Sequence, residues 1–383
     1  MKKTFFYLIF SLSIIFWSTL ISSCSQQNPA SISNEMEYAT LLQIEDLDEE
    51  VTLCRILDPW RTERVLKQYL IVPKTSAWNE KRAEECLTRY GEAEVVRTPL
   101  TSITLTSACH AWLLSQLEAL DHVSVVCDTS YVMADNVRRW MRSQKPDGRA
   151  MILDGGSSMS PNVEVMLQAE SDALWISPYE GGDLSQIERL PLSTILCAEY
   201  MENNPLGRAE WMKFYGLLVG RRSEAEQLFR YVADNYRQST VTNEVSGQKL
   251  LAELPYGATW YVPGGASTAA ILYGDAGLDY YWRDDKHAGS LSLSKEAVLA
   301  QAQACDLWLI KYNDPTGDWT LDDLLRQDEI YGQFKAAREG NVWACNTARS
   351  DFFDVTPFRP DSLLHSLVAA DGGFFGRMVT GNR

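Results

Sequence analysis

The chain is short of the groups that most often announce catalysis. Only four of its 383 residues are histidine (His110, His122, His287 and His365), and no two fall at metal-ligand spacing. It has no G-x-S-x-G elbow, no G-x-x-x-x-G-K-[ST] phosphate loop, no G-x-G-x-x-G and no H-E-x-x-H. These gaps count against the common hydrolases, nucleotide enzymes and zinc proteases, although carboxylate chemistry needs no signature. Positive charge is also scarce. Against 51 Asp and Glu stand 35 Lys and Arg, for a formal net charge of −16. Phosphate backbones need a basic face, so nucleic acid is excluded as a partner and a positively charged protein surface suits the chain better. The eight cysteines show no C-x-x-C pair. Several sit in apolar strand-like runs (Val125-Val126-Cys127, Ile195-Leu196-Cys197) and read as buried thiols. An exported setting permits a disulfide, and which pair, if any, stays open. Beyond the N-terminus no segment has the roughly 20 apolar residues that span a bilayer.

The first residues are of a different kind. Lys2 and Lys3 precede an apolar run from Phe5 to Ile21. Ser22, Ser23 and Cys24 follow, and then the polar stretch Ser25-Gln26-Gln27-Asn28-Pro29. This order reads as a signal peptide over 1–23. Small residues directly before a cysteine make Leu20-Ile21-Ser22-Ser23-Cys24 resemble a bacterial lipobox. That resemblance implies cleavage before Cys24 and acylation of its sulfur, with 24–37 as a tether. Several acyl chains, at about 0.8 kcal/mol per buried methylene, give firm anchoring. The expected location is the periplasm on a membrane anchor, in the inner membrane, with the outer membrane left open.

The remainder is ordinary globular material: 45% hydrophobic and 22% charged residues, over a length that suits two domains. Residues 38–93 read as an extra β-hairpin, with Val51–Leu57 and Val65–Val72 separated by Asp58-Pro59-Trp60. From Thr101 a β-α-β rhythm sets in, which favours a parallel sheet covered by helices. Ile103–Leu105 is a strand, Thr106-Ser107 caps a helix, and Val123–Val126 is a buried strand. Ser160 with Pro161 predicts a helix start bearing Glu164, followed by the strand Ala173–Ile176. Ser294 predicts a second such helix, bearing Glu296 and followed by Asp306-Leu307-Trp308-Leu309-Ile310. The two copies are weakly alike, which suggests two similarly built lobes. Between them Asn204-Pro205 opens one helix. Ser223 and Glu226 form a capping box for another, whose apolar face is Ala225, Leu228, Phe229, Val232 and Tyr236. Domain boundaries are placed at 38–222, 223–240 (linker helix) and 241–383.

In this order the segments resemble the solute-binding proteins of iron-siderophore, haem and vitamin B12 ABC importers. The resemblance runs from Glu94 to Gly373. It is carried by Thr106-Ser107-Ala108-Cys109-His110, Pro161-Asn162-Val163-Glu164, Pro205-Leu206-Gly207-Arg208-Ala209-Glu210-Trp211, Leu293-Ser294-Lys295-Glu296 and Arg359-Pro360-Asp361. The family implies an α/β fold of two Rossmann-like lobes joined by a single long α-helix, with ligand in the cleft between them, as in class III periplasmic binding proteins. The added N-terminal strands are similar to those of a long iron-complex subgroup and point to an iron chelate, with cobalamin or haem as the alternatives.

By position the resemblance makes Glu164 and Glu296 the docking carboxylates for arginines of the permease, one on each lobe. The cleft is expected to be lined from strand ends by Trp60, His110, Tyr179, Arg208, Trp211, Tyr281, Trp282 and Arg349. Rings suit flat ligands, and arginine forks suit carboxylate or phenolate oxygens. His110 is also a candidate axial ligand for a haem or corrin metal. No resident cofactor is expected. The implied partners are an ABC permease with its ATPase and the metal-chelate ligand, and a monomer is expected. Two other classes remain: a chelatase-like enzyme, for which His110 is the obvious metal ligand, and a surface lipoprotein that scavenges without an importer.

Overall fold

The computed structural model describes residues 35–61, 64–78, 80–148, 150–182, 185, 187–242, 247–368 and 373–381. Cys24, with the signal peptide and most of the tether, lies outside the described residues.

The described chain opens with β1 (Leu42–Asp46), β2 (Thr52–Leu57) and β3 (Val65–Pro73), an antiparallel meander. Helix α1 (Glu80–Tyr90) then crosses over, and β4 (Glu94–Thr98) pairs parallel to β3. The expected hairpin over 38–93 is thus a four-stranded sheet, and Glu94–Thr98 belongs to it. The sheet is wedged into the first lobe. The buried Tyr69 hydroxyl donates to the Thr194 carbonyl at 2.9 Å and accepts from the Leu196 amide at 2.9 Å.

The first lobe is built on β5 (Ile103–Leu105), α2 (Ala108–Gln116), β6 (Val123–Val126), α3 (Asp135–Met141) and β7 (Leu153–Asp154), followed by a small hairpin, β8 (Gly156–Ser157) with β9 (Ser160–Pro161). Then come α4 (Val163–Gln168), β10 (Ala173–Ile176) and β11 (Ser193–Leu196). The strands β11-β10-β5-β6-β7 form one parallel sheet. The β10 run Ala-Leu-Trp-Ile is buried at every position, as a strand covered on both faces must be. Ser160 does not start a helix. It pairs with Ser157 in the hairpin, and Asn162 is the N-cap, accepting from the Glu164 and Val165 amides.

Helices α5 (Pro205–Glu210) and α6 (Met212–Leu218) lead to α7 (Arg222–Thr242). At 21 residues α7 is about 31 Å long. It begins one residue before Ser223 and outlasts the expected end at 240. Ser223 therefore lies within the first turn and accepts from Gln227 Nε2, instead of capping. The chain passes once from the first parallel sheet to the second, through α7.

The second lobe holds β12 (Lys249–Ala252), β13 (Pro255–Tyr256), β14 (Thr259–Pro263), α8 (Thr268–Asp275), β15 (Asp279–Tyr280), β16 (Ser290–Ser294), α9 (Lys295–Ala302), β17 (Leu307–Tyr312), α10 (Leu321–Gln327), α11 (Lys335–Arg338), β18 (Val342–Asn346), α12 (Phe352–Val355), α13 (Pro360–Val368) and β19 (Gly376–Arg377). Its main sheet runs β15-β12-β17-β18-β19, parallel except for β19, and β13-β14-β16 form a small antiparallel sheet. Here the capping expectation holds, since Ser294 Oγ accepts from the Ala297 amide.

Two buried glutamates tie the start of the fold to the helices after β11. Glu210 accepts from the Glu37, Tyr38 and Ala39 amides and from Lys213 Nζ. Glu202 accepts from the Thr40 and Leu41 amides and from the Trp211 indole nitrogen at 3.0 Å. Gly207 sits beneath this segment, where a Cβ would stand 2.8 Å from the Tyr38 carbonyl oxygen. The run Pro205–Trp211 is therefore mainly a staple. Of the described cysteines, Cys86 is half-buried and the other six are buried, all as free thiols. Among the described residues no helix is long and apolar enough to cross a membrane.

Candidate ligand-binding site

The C-terminal ends of the parallel strands of both lobes, with the end of β14 from the small antiparallel sheet, converge on one cleft. Beyond β5 stand Ser107 and Cys109, beyond β11 Tyr200 to Asn203, beyond β14 Ser267 and Thr268, at the end of β17 Lys311, and beyond β18 Phe352 and Phe353. In open α/β sheets this is the edge where ligands bind. The lobes touch across it: Thr268 Oγ1 donates to the Glu202 carbonyl at 2.7 Å, and Asp354 of α12 accepts from the Met133 and Ala134 amides.

These contacts leave three adjoining compartments. The innermost is a cavity of about 590 Å³, lined by Arg208, Tyr200, Tyr273, Phe352, Phe353 and Lys311 among others. A middle one of about 520 Å³ shares Ser107, Cys109 and Phe353 with it. An outer one of about 770 Å³ holds Arg138, Arg349 and Arg377. All are of the size that holds small-molecule ligands.

Arg208 is the charged group with most at stake in the inner cavity. It is carried on α5, whose N-cap Asn204 accepts from Leu206 and Gly207. Its Nε is buried with no hydrogen-bond partner among the described residues. A buried donor left without an acceptor costs free energy. Lys311, the other cation there, is already paired with Glu253. The aromatic rings present apolar area around these two charges.

Behind the cavity wall lies a buried polar cluster. His110 Nε2 is 3.2 Å from Glu199 Oε1, an ion-pair distance without hydrogen-bond alignment, and neither ring nitrogen of His110 has a hydrogen-bond partner. The Tyr215 hydroxyl donates to Glu199 Oε2 at 2.6 Å. Burial alone would raise the Glu199 carboxyl. The adjacent His110 imidazole, the Tyr215 hydroxyl and the Arg208 charge outweigh it and hold the carboxyl near 2. Burial pushes the Cys109 thiol up to about 12, with Glu199 adding to it, so the thiol is protonated at neutral pH. Cys109, His110 and Glu199 bring ligand-type atoms within 4.8 Å of one another.

The expected cleft residues divide. Arg208 lines the inner compartment and Arg349 the outer one. His110 does not line the cleft: its ring packs fully buried against Trp175 and Tyr215. Trp211 is also core, because its indole is turned to Glu202. Trp282 is buried with its nitrogen on Gln301, and Tyr281 stacks under Lys249. Trp60 is half-buried beside Asp58 in the added sheet, and Tyr179 is exposed. None of these four lines the three compartments. Tyr200, Tyr273, Phe352 and Phe353 take the place of the expected rings. For three of them a signal was available, since Tyr200 and the Phe352-Phe353 pair lie within seven residues of the ends of β11 and β18.

Glu164 and Glu296 are exposed, each two residues past an N-cap (Asn162 and Ser294). The Glu296 carboxyl is held below the ordinary value by the helix-start amide and by Ser294.

Residues 125–348 match the family described as periplasmic binding protein. An uncharacterised lipoprotein of Methanocaldococcus jannaschii is 26% identical over 283 residues, 72% of this chain. The matched region spans 66% of that relative's own length. Among solved structures, an ABC-type Fe3+-hydroxamate transport protein of Saccharomonospora viridis superposes with a TM-score of 0.53 at 18% identity, covering 71% of this chain and 94% of that one. A periplasmic haem-binding protein of Pseudomonas aeruginosa gives 0.54 at 15% identity, over 74% and 99%.

Proposed function

Because the chain belongs to the periplasmic binding protein family and has the fold of its class III members, we propose that it captures an iron chelate of siderophore type in the inter-lobe cleft and hands it to an ABC permease. The observation that carries this is Arg208. It lines an aromatic-walled cavity of about 590 Å³, and its Nε is buried without a partner among the described residues. That combination suits a bulky ligand with an anionic oxygen, which a guanidinium binds through charge-assisted bonds. The solved relatives named for Fe3+-hydroxamate and for haem support a metal chelate as the ligand class. Between these, the position of His110 favours a chelate that brings all its own donors. Buried behind Tyr215 and Trp175, it offers no axial nitrogen to a haem or corrin metal in the cavity. Haem and cobalamin remain the second reading, supported by the apolar walls.

In this reading Glu164 and Glu296 meet arginines of the permease, one from each lobe, and lipidated Cys24 keeps the protein at the membrane, as the lipoprotein relative suggests. The test is a fluorescence titration with a ferric hydroxamate, a ferric catecholate, haem and cobalamin. The expected result is saturable 1:1 quenching of tryptophan emission by a ferric chelate at micromolar concentration or below. No quenching by any of the four would overturn the proposal, and saturation by haem or cobalamin alone would replace the first reading with the second.

A further inference from the structure

We propose that Cys109, His110 and Glu199 form a site for one thiophilic divalent cation of the Zn2+ class, separate from any chelate held in the cleft. The three side chains belong to two strand-end segments of the first lobe, those after β5 and β11. Cys109 and His110 stand in the first turn of α2, and Glu199 stands just after β11. All three are buried, with ligand atoms within 4.8 Å of one another.

Two observations set this cluster apart from an ordinary buried ion pair. His110 is 0% exposed, yet neither of its nitrogens is hydrogen-bonded, although one approaches Glu199. A buried imidazole left so is uncommon and costly. A metal–nitrogen bond would satisfy one of the two. The second observation is the bond from the Tyr215 hydroxyl to Glu199 Oε2, which leaves Oε1 toward His110. An outer partner that orients a carboxylate ligand in this way is a regular part of metal sites.

The donor set, one thiolate sulfur, one imidazole nitrogen and one carboxylate oxygen, suits zinc among the available divalent ions and does not suit magnesium or calcium. Cys109 also lines the inner and middle compartments of the cleft, which provides an entry path and room for a fourth, non-protein ligand. Binding releases the thiol proton to solvent, and the sulfur–metal bond takes its place. The thiolate and carboxylate charges balance the cation, and nearby Arg208 leaves the locality net positive, which favours an anionic fourth ligand.

The test uses purified, metal-stripped protein titrated with Co2+ and with Zn2+ against a chromophoric chelator. The expected result is one equivalent bound. The Co2+ form should show a thiolate-to-cobalt charge-transfer band in the near ultraviolet and d–d bands of tetrahedral strength. Cys109→Ser abolishes the charge-transfer band, while Cys305→Ser, a buried thiol in the other lobe, leaves it intact. Tyr215→Phe acts through Glu199 and weakens binding by about 10–100-fold with the band retained. Should His110→Ala fail to fold, Cys109→Ser and Tyr215→Phe still decide the matter. The proposal is overturned by sub-stoichiometric uptake, by Co2+ binding with no sulfur band, or by a band that survives Cys109→Ser. The ferric-chelate titration is separate, so either proposal can fail alone.

Discussion

Glu164 and Glu296 hold the same place in their two lobes: each is the second residue of a short helix whose N-cap side chain accepts from that helix's first turn, and each helix leads into a buried strand of a parallel sheet. Both carboxylates are exposed, the Glu296 carboxyl resting on its own helix start. An acidic group at such a position gains a little from the helix dipole, but that gain explains neither its duplication nor its exposure. Reversing both charges (Glu164→Lys with Glu296→Lys) should therefore leave ligand affinity within about twofold and lower the folding midpoint only slightly, by the lost helix-start interactions. Uptake through the importer should fall more than tenfold, because like charges now face across the docking surface. The pair of measurements is chelate uptake in cells and fluorescence affinity in vitro. Intact uptake would remove the docking role.

Arg208 gives a sharper prediction. A charge-assisted hydrogen bond is worth about 1.5–3 kcal/mol, and 1.4 kcal/mol is a factor of ten in affinity. Arg208→Ala should weaken binding of a ferric chelate by roughly 10–100-fold. Arg208→Lys should recover only part of this, because a point charge cannot reproduce the guanidinium fork. Equal affinity in all three proteins would mean that the ligand sits elsewhere in the cleft.

The buried staple predicts a stability effect with no change in binding. Glu210 is fully buried and receives three backbone amides and Lys213. Glu210→Ala strands the three amides and leaves Lys213 only the Glu35 carbonyl, at a cost of about 3–5 kcal/mol, the usual penalty for breaking a buried charged pair. The midpoint of urea unfolding reads this out. Gly207→Ala should destabilise through a different route, since its methyl group would meet the Tyr38 carbonyl at 2.8 Å. A midpoint unchanged in both variants would show that residues 37–41 are not held as described.

Much of this architecture could be read before the fold was known, and the misreadings share one cause. Asn204-Pro205 and Ser294 were legible because a cap is a local event, complete within four residues. The alternation of apolar strands with helical stripes was enough for two parallel sheets. Ser160 misled because Ser-Pro also fits a tight hairpin, and Asn162 two residues later made the better cap. His110 and Trp211 misled because their position after a strand end was right but their direction was not. His110 points from α2, and Trp211 from the junction of α5 and α6, into the lobe interior, toward Glu199 and Glu202. Periodicity reports which face of a helix is apolar, but α2 and α6 are covered on nearly every side, so it had nothing to separate. The four-stranded added sheet was read as a hairpin because β4 joins it by a parallel crossover through α1, a pairing that depends on packing and leaves no local turn signal.

The last prediction concerns the contact that holds the lobes together at the middle of the cleft. Asp354 is 1% exposed, and one of its oxygens accepts from both the Met133 amide at 2.8 Å and the Ala134 amide at 2.7 Å. Burial raises its carboxyl above the ordinary 3.8, Asp351 pushes the same way, and the two amides with Arg138 offset part of the rise. The folded chain thus binds this proton more readily than the unfolded chain. Between 3.8 and the raised value, stability falls as pH rises, and above that window the loss is constant. Asp354→Asn keeps an oxygen for both amides and removes the buried charge. It should flatten the pH dependence of unfolding across that window and match or exceed the parent's stability at pH 7. Asp354→Ala loses both bonds, so the lobe contact should loosen, seen as a larger radius of gyration by solution scattering and weaker chelate binding. If the Asn variant keeps the parent's slope of stability against pH, the charge on Asp354 is not what titrates there.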